Sequence, residues 1–229
     1  VLVIHSTDHW TNFFLDNMPA FCVGIGDEHL GPPEPFMKPV FPHETMVGHA
    51  ALGKHILQEA FAAEFDPSYS MHLKLDHGVV VPVWQSHFET IPAIVPVYLN
   101  LVEKPFSRPL RCIKWGRMLR KAIESFPEDI RVAVIGTGGM SHSIGETTMG
   151  WVDEPFDHAC IELLASASDE EIGARMEEML ARSGNGGAEM RNWLCAHGAA
   201  NGKGFDLIGY LPMPSMLIGC GLAEWKLAA

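Results

Sequence analysis

Short apolar runs, each stopped by glycine or by a polar loop, set the rhythm of this chain. Val1 to Ile4 reads as a buried strand that ends at His5-Ser6-Thr7-Asp8-His9-Trp10. Val132 to Ile135 reads as another, running into Gly136-Thr137-Gly138-Gly139 and then Met140-Ser141-His142. Unbroken apolar runs of this length are what strands covered on both faces require. Further strands are expected over 20–25 and 91–101. One more is expected over 70–75, where Met71, Leu73 and Leu75 alternate with His72 and Lys74. The period turns helical over 43–65, 110–125, two segments within 155–182, and 188–197, while 79–84 reads as a short helix or turn. The proline-rich stretch Gly31 to Pro42 is expected to be an irregular surface loop, because proline fixes φ and removes a donor. The apolar tail, Phe205 to Trp225, is expected to supply a last strand near the site. The pattern predicts an α/β fold, one domain over 1–229 with a central mixed β-sheet flanked by helices. Chemistry is expected at the carboxyl ends of the strands.

Composition narrows the partners. A formal net charge of -12 leaves no basic patch for nucleic acid. No apolar run approaches the roughly 20 residues that span a bilayer. Five cysteines, odd in number and without a C-x-x-C pair, fit reduced thiols in the cytoplasm better than a disulfide framework. Twelve histidines in 229 residues direct attention to metal or acid-base chemistry. The chain opens on valine, already inside an apolar run, so the numbering is expected to begin within the fold.

Three expected strand ends carry a histidine: His9 in STDHW, His77 in LDHG and His142 in GGMSHS. Neighbouring strands would converge these three at one sheet edge. Taken singly, His142 is an ordinary turn histidine. His5 and His9 are four apart, but the preceding VLVI argues for a strand, so they are not a helical chelate. Asp8 either orients a ligand or, more commonly, caps the turn. Glu189, after Gly186-Gly187, is by its position a helix-start carboxylate favoured by the dipole. The other histidines are expected on the surface or in structural roles. No phosphate-loop motif and no G-x-S-x-G elbow is present.

The combination of VLVIHSTDHW, KLDHGVVVP, ESFPEDIRVAVIGTGGMSH and SGNGGAEMRNWL resembles the class III extradiol ring-cleavage dioxygenases. The likeness extends to the catalytic beta subunit of protocatechuate 4,5-dioxygenase and to gallate dioxygenases, from residue 1 to about Gly198. It implies a non-haem Fe(II) with two histidines and one glutamate as ligands, leaving open positions for a catechol and O2. By resemblance His9 and Glu189 are iron ligands, His142 is the catalytic acid-base and His77 a second active-site histidine. The remaining ligand histidine belongs to a Ser-His motif upstream of Val1, so the chain is expected to lack its first strand and first metal-ligand motif. Ser215, in YLPMPSMLIGCG, and Gly139 are the expected substrate contacts, although this tail departs from the family's segment. A small alpha subunit or a second copy is expected to close the site. The alternatives are a zinc-dependent hydrolase, for which His and Glu ligands also serve, and a non-catalytic or fragmentary relative.

Overall fold

The structure, a computed structural model, describes residues 1–227. It divides into two compact units, one of residues 1–103 and 118–137, the other of 104–117 and the chain from Gly138 onward.

The first unit is built on a five-stranded sheet. β1 (Leu2–Thr7) lies between β6 (Ile94–Leu99) and β7 (Ala133–Gly136), parallel to both, with Leu2 opposite Ile94 and Ala133. β2 (Phe21–Gly24) pairs antiparallel with β6 and parallel with β5 (Ser68–Ser70), giving the order β5-β2-β6-β1-β7. The expected mixed sheet is therefore present. Every residue of β1 and β6 is buried, which explains their unbroken apolar runs. β1 is longer than the apolar run alone suggests and takes in His5 and Ser6. His5 is wholly buried, its Nδ1 3.4 Å from the Ile135 carbonyl, and burial lowers its pKa to about 4.

The strand expected to be buried over 132–135 is instead the half-buried edge strand β7, with Ala133 exposed. Two further expectations for this unit need correcting. The alternation over 70–75 is not a sheet strand: β5 ends at Ser70, and Leu73 and Leu75 are buried in an irregular segment. That segment is held by Leu30, whose N–H donates to the Leu73 carbonyl (2.8 Å) and whose carbonyl accepts from Leu75 (2.9 Å). The helix expected from residue 43 starts later. Thr45–Val47 (β4) pairs with Glu28–Leu30 (β3), and His49 then caps α1 (Ala50–Ala62) through its ring nitrogen and the Leu52 N–H. α2 (His77–Gln85) matches the expected short helix, and α3 (Pro109–Glu124) runs from the second unit into the first.

The second unit contains the start of α3, α4 (Glu154–Ser166), α5 (Asp169–Met179) and α6 (Met190–Ala199), which a 3-10 turn over Gly186–Glu189 precedes. All ten residues of α6 are buried. It meets α3 at backbone contact: a Cβ on Gly116 would lie 2.0 Å from the Cys195 carbonyl, and one on Gly198 2.1 Å from that of Ile113. Arg117 and the buried His197 share Asp169, and Trp225 donates to His197 Nδ1 (3.3 Å). The tail is not one strand but an antiparallel hairpin, β8 (Phe205–Met213) with β9 (Ile218–Trp225), forming its own two-stranded sheet. Among the described residues no helix is long and apolar enough to cross a membrane.

Candidate functional site

In the first unit two histidines and two carboxylates gather at the start of α2. Asp76 is the N-cap of this helix, accepting from the Gly78 N–H with Oδ1 (3.1 Å). Its other oxygen accepts from the His9 backbone N–H (2.9 Å) and lies 3.1 Å from His9 Nδ1. Asp76 is itself fully buried and held by Tyr98, whose hydroxyl accepts from the Asp76 N–H (3.2 Å) and donates to the Lys74 carbonyl (3.1 Å). A carboxylate on Nδ1 fixes the proton there and leaves the lone pair on Nε2, the arrangement that metal-ligating histidines use. The His77 ring stacks against that of His9 with centroids 4.2 Å apart. Its backbone N–H (3.0 Å) and Nδ1 (2.8 Å) both contact Glu34 Oε1.

Asp8 has the commoner of its two expected roles. It is buried and accepts from the backbone N–H groups of Thr11, Asn12 and Phe13, closing the turn after β1. The carboxylate that orients His9 is Asp76.

In the second unit the chain leaves β7 through Gly138, whose φ of +102° suits glycine. A Cβ there would lie 2.7 Å from Glu189 Oε2, and the Gly139 N–H donates to that same oxygen (3.1 Å). Glu189 is buried at the end of the 3-10 turn, and its Oε2 is 3.7 Å from His142 Nε2. His142 Nδ1 is 3.3 Å from the Met140 carbonyl, which makes Nδ1 the donor and leaves Nε2 as the acceptor. One side of the imidazole is covered by Gly186, where a Cβ would sit 2.0 Å from Nε2.

The His142 loop is tied down by Asp157 on α4. Asp157 is fully buried and accepts from the Ser141 N–H (2.7 Å), the Ser141 hydroxyl (2.9 Å) and the Tyr210 hydroxyl of β8 (2.7 Å). Burial raises its pKa, and these hydrogen bonds pull the other way. Met140 and Ser141 also exchange backbone hydrogen bonds with Gly219 of β9.

Thus His9 meets His77 in one unit, and His142 meets Glu189 and Gly139 in the other. Gly139 has a local reason to be glycine, since a Cβ would fall 1.9 Å from Ile218 Cδ1. Ser215 is exposed in the 3-10 turn (Pro214–Met216) that joins β8 to β9. Sequence reasoning missed Glu34, Asp76 and Asp157. Asp157 carried a signal: it is an acid on the helix face that also buries Phe156, Cys160 and Leu164.

Residues 1–215 match the family described as the catalytic LigB subunit of aromatic ring-opening dioxygenase. The chain belongs to this family. It is 36% identical over 170 residues to gallate dioxygenase of Pseudomonas putida, covering 72% of this chain and 50% of that protein. A 2,3-dihydroxyphenylpropionate/2,3-dihydroxicinnamic acid 1,2-dioxygenase of Photorhabdus laumondii is 29% identical over 164 residues, 70% of this chain and 49% of the relative. The Mycolicibacterium paratuberculosis enzyme of the same name is 24% identical over 267 residues, with coverages of 96% and 83%. The chain thus spans about half the length of the first two relatives.

The LigB family is metal-dependent, and two of this chain's side chains suit that dependence. In the first unit His9, with Nδ1 on Asp76, keeps Nε2 as a nitrogen of the kind metals take, and in the second unit the buried Glu189 is a carboxylate of the kind metals take. Among the described residues no group of three or more His, Cys, Asp or Glu side chains is close enough together to hold a metal ion.

Proposed function

We propose that this chain is the catalytic part of an Fe(II)-dependent extradiol dioxygenase that opens a catechol-type ring, such as that of protocatechuate or gallate, with O2. Family membership supports ring opening. The observation that carries the chemistry is His142, an acid-base group with its acceptor nitrogen 3.7 Å from a buried carboxylate. His9 and Glu189 would hold the iron. When bound, it would supply the Lewis acidity that makes coordinated phenolic hydroxyls easy to ionise, and a path for electrons from the catechol to O2.

The protein's own part is proton handling and orientation. His142 Nε2 accepts a phenolic proton and returns it later in the cycle, the two-way transfer that general acid-base catalysis by an imidazole provides. The Met140 carbonyl keeps the other ring proton on Nδ1, so Nε2 stays the reactive atom. Asp157, through Ser141, holds the loop that carries this histidine. His77 offers a second nitrogen to the substrate hydroxyls, and Ser215 and Gly139 are proposed substrate contacts. A small alpha subunit or a second copy completing the site, and a cytoplasmic location, belong to the same proposal.

The test is metal loading under anaerobic conditions followed by oxygen uptake with a catechol panel. Uptake that needs Fe(II) supports the reading. Hydrolytic turnover with zinc and no uptake with any catechol would replace it with a zinc hydrolase.

A further inference from the structure

The two imidazoles at the start of α2 are held alike. Each has a carboxylate on Nδ1, Asp76 for His9 and Glu34 for His77. Each of those carboxylates also accepts a backbone N–H from the first turn of α2, Gly78 for Asp76 and His77 for Glu34. The helix dipole favours both charges there. Glu34 lies in the proline-rich loop, 43 residues before His77 in sequence.

A simple helix cap needs only the bond to the main chain. Glu34 makes more: one oxygen, Oε1, takes both the main-chain N–H and ring Nδ1 of His77. Its second oxygen is buried without a hydrogen-bond partner. Solvation therefore does not explain the carboxylate's position, because an unpaired buried oxygen is costly. Contact with an acceptor-only group puts the ring proton on Nδ1 and leaves the lone pair on Nε2. The stacking on His9 fixes the ring plane as well.

We propose that Glu34 is the positioning residue for His77, setting its ring orientation and holding it in the Nδ1–H tautomer. His77 then presents Nε2 as an acceptor, suited to a phenolic O–H and unsuited to donating toward an anion. The proline-rich loop becomes part of the site's support. The functional consequence rests on the ring-cleavage reading; the tautomer does not.

The experiment compares the wild-type chain with Glu34→Gln and Glu34→Ala. Imidazole 15N shifts are recorded on the metal-free protein with His77→Gln for assignment, and kcat and KM are measured after Fe(II) loading. The wild type and Glu34→Gln, whose amide oxygen still accepts, should show the Nδ1–H pattern at His77. Glu34→Ala should move toward the Nε2–H form that free imidazole prefers. Its kcat should fall about 10- to 100-fold, with KM within about threefold and most of the loss restored by Gln. An unchanged His77 tautomer in a folded Glu34→Ala protein overturns the proposal, as does a kcat loss that Gln leaves in full. If the alanine variant does not fold, Glu34→Asp withdraws the carboxylate by one methylene while keeping its charge, and it should give the same shift. A wild type that opens no catechol yet shows the expected tautomer change upholds the role of Glu34 and fails only the ring-cleavage reading.

Discussion

Replacing Gly186 by alanine should displace the His142 imidazole while leaving the fold in place. The new Cβ would lie 2.0 Å from Nε2, 2.1 Å from Cδ2 and 2.3 Å from Cε1. An ordinary contact is about 3.5 Å, so the ring and the methyl must separate by about 1.5 Å. The backbone is poorly placed to give way, because the Gly186 N–H donates to the His142 carbonyl (3.1 Å). The ring, which carries no covalent link beyond its own Cβ, therefore moves. Overpacking of this kind costs about 1–3 kcal/mol of stability. A misplacement of about 1 Å at a reacting group costs on the order of 100-fold in rate, and total loss of acid-base catalysis costs about 100- to 10,000-fold. The expected kcat is thus lower by about 100-fold or more. The assay is oxygen uptake at saturating catechol, paired with a thermal melt to show that the protein is folded. Gly209→Ala is the control, since its Cβ meets nothing within 4 Å. A folded Gly186→Ala enzyme with kcat within about threefold of wild type would refute the reasoning, because His142 would then not need its present position.

Acid should destabilise the chain through its buried histidines. Burial lowers the pKa of His5 and His29 to about 4 from an ordinary 6.5, so the unfolded chain binds more protons between these values. The stability they contribute is complete above pH 6.5 and is lost as pH falls toward 4, by about 3 kcal/mol for each histidine. Urea melts from pH 7.5 down to pH 4 should show this, and His29→Gln should flatten the slope. Asp157→Ala leaves the Ser141 N–H and the Ser141 and Tyr210 hydroxyls without their acceptor, and should cost about 3 kcal/mol. Asp157→Asn should cost less, because one oxygen remains to accept. The raised pKa of Asp157 has the opposite sign to the histidines, adding stability as pH falls through its folded pKa. Gly138→Ala forces a residue with a side chain to φ +102° against Glu189, and should cost about 1–2 kcal/mol and weaken Fe(II) binding, measured by metal titration.

What was legible in the sequence was what local period controls. β1 announced itself because burial on both faces leaves an unbroken apolar run, β7 because it carries a similar run although it lies half-buried at the sheet edge, and α3 because its apolar and basic positions separate cleanly. The stretch over 70–75 misled because alternation reports burial of every second residue, and a loop pinned by Leu30 buries Leu73 and Leu75 as well as a sheet does. His9 and His142 were singled out from their place after strands and from family likeness, whereas His77 follows an irregular segment and rests on the likeness alone. Their supporting carboxylates were not. Asp76 lies 67 residues from His9, and Asp157 lies 16 from Ser141. Pairings at such separations are made by the tertiary fold, which sequence spacing does not record. Glu34 was hidden further by its setting, since prolines mark a loop and say nothing about what the loop touches.

The central claim is that this protein adds O2 across a catechol ring with His142 moving the protons. Mass spectrometry of the product tests it most directly, using the Fe(II)-loaded chain, a catechol and oxygen. The expected product has the mass of the substrate plus one O2, is ring-opened beside the two hydroxyls, and is nearly absent from His142→Ala while that variant still binds iron. An unchanged catechol, a hydrolysis product, or full product from His142→Ala would contradict it.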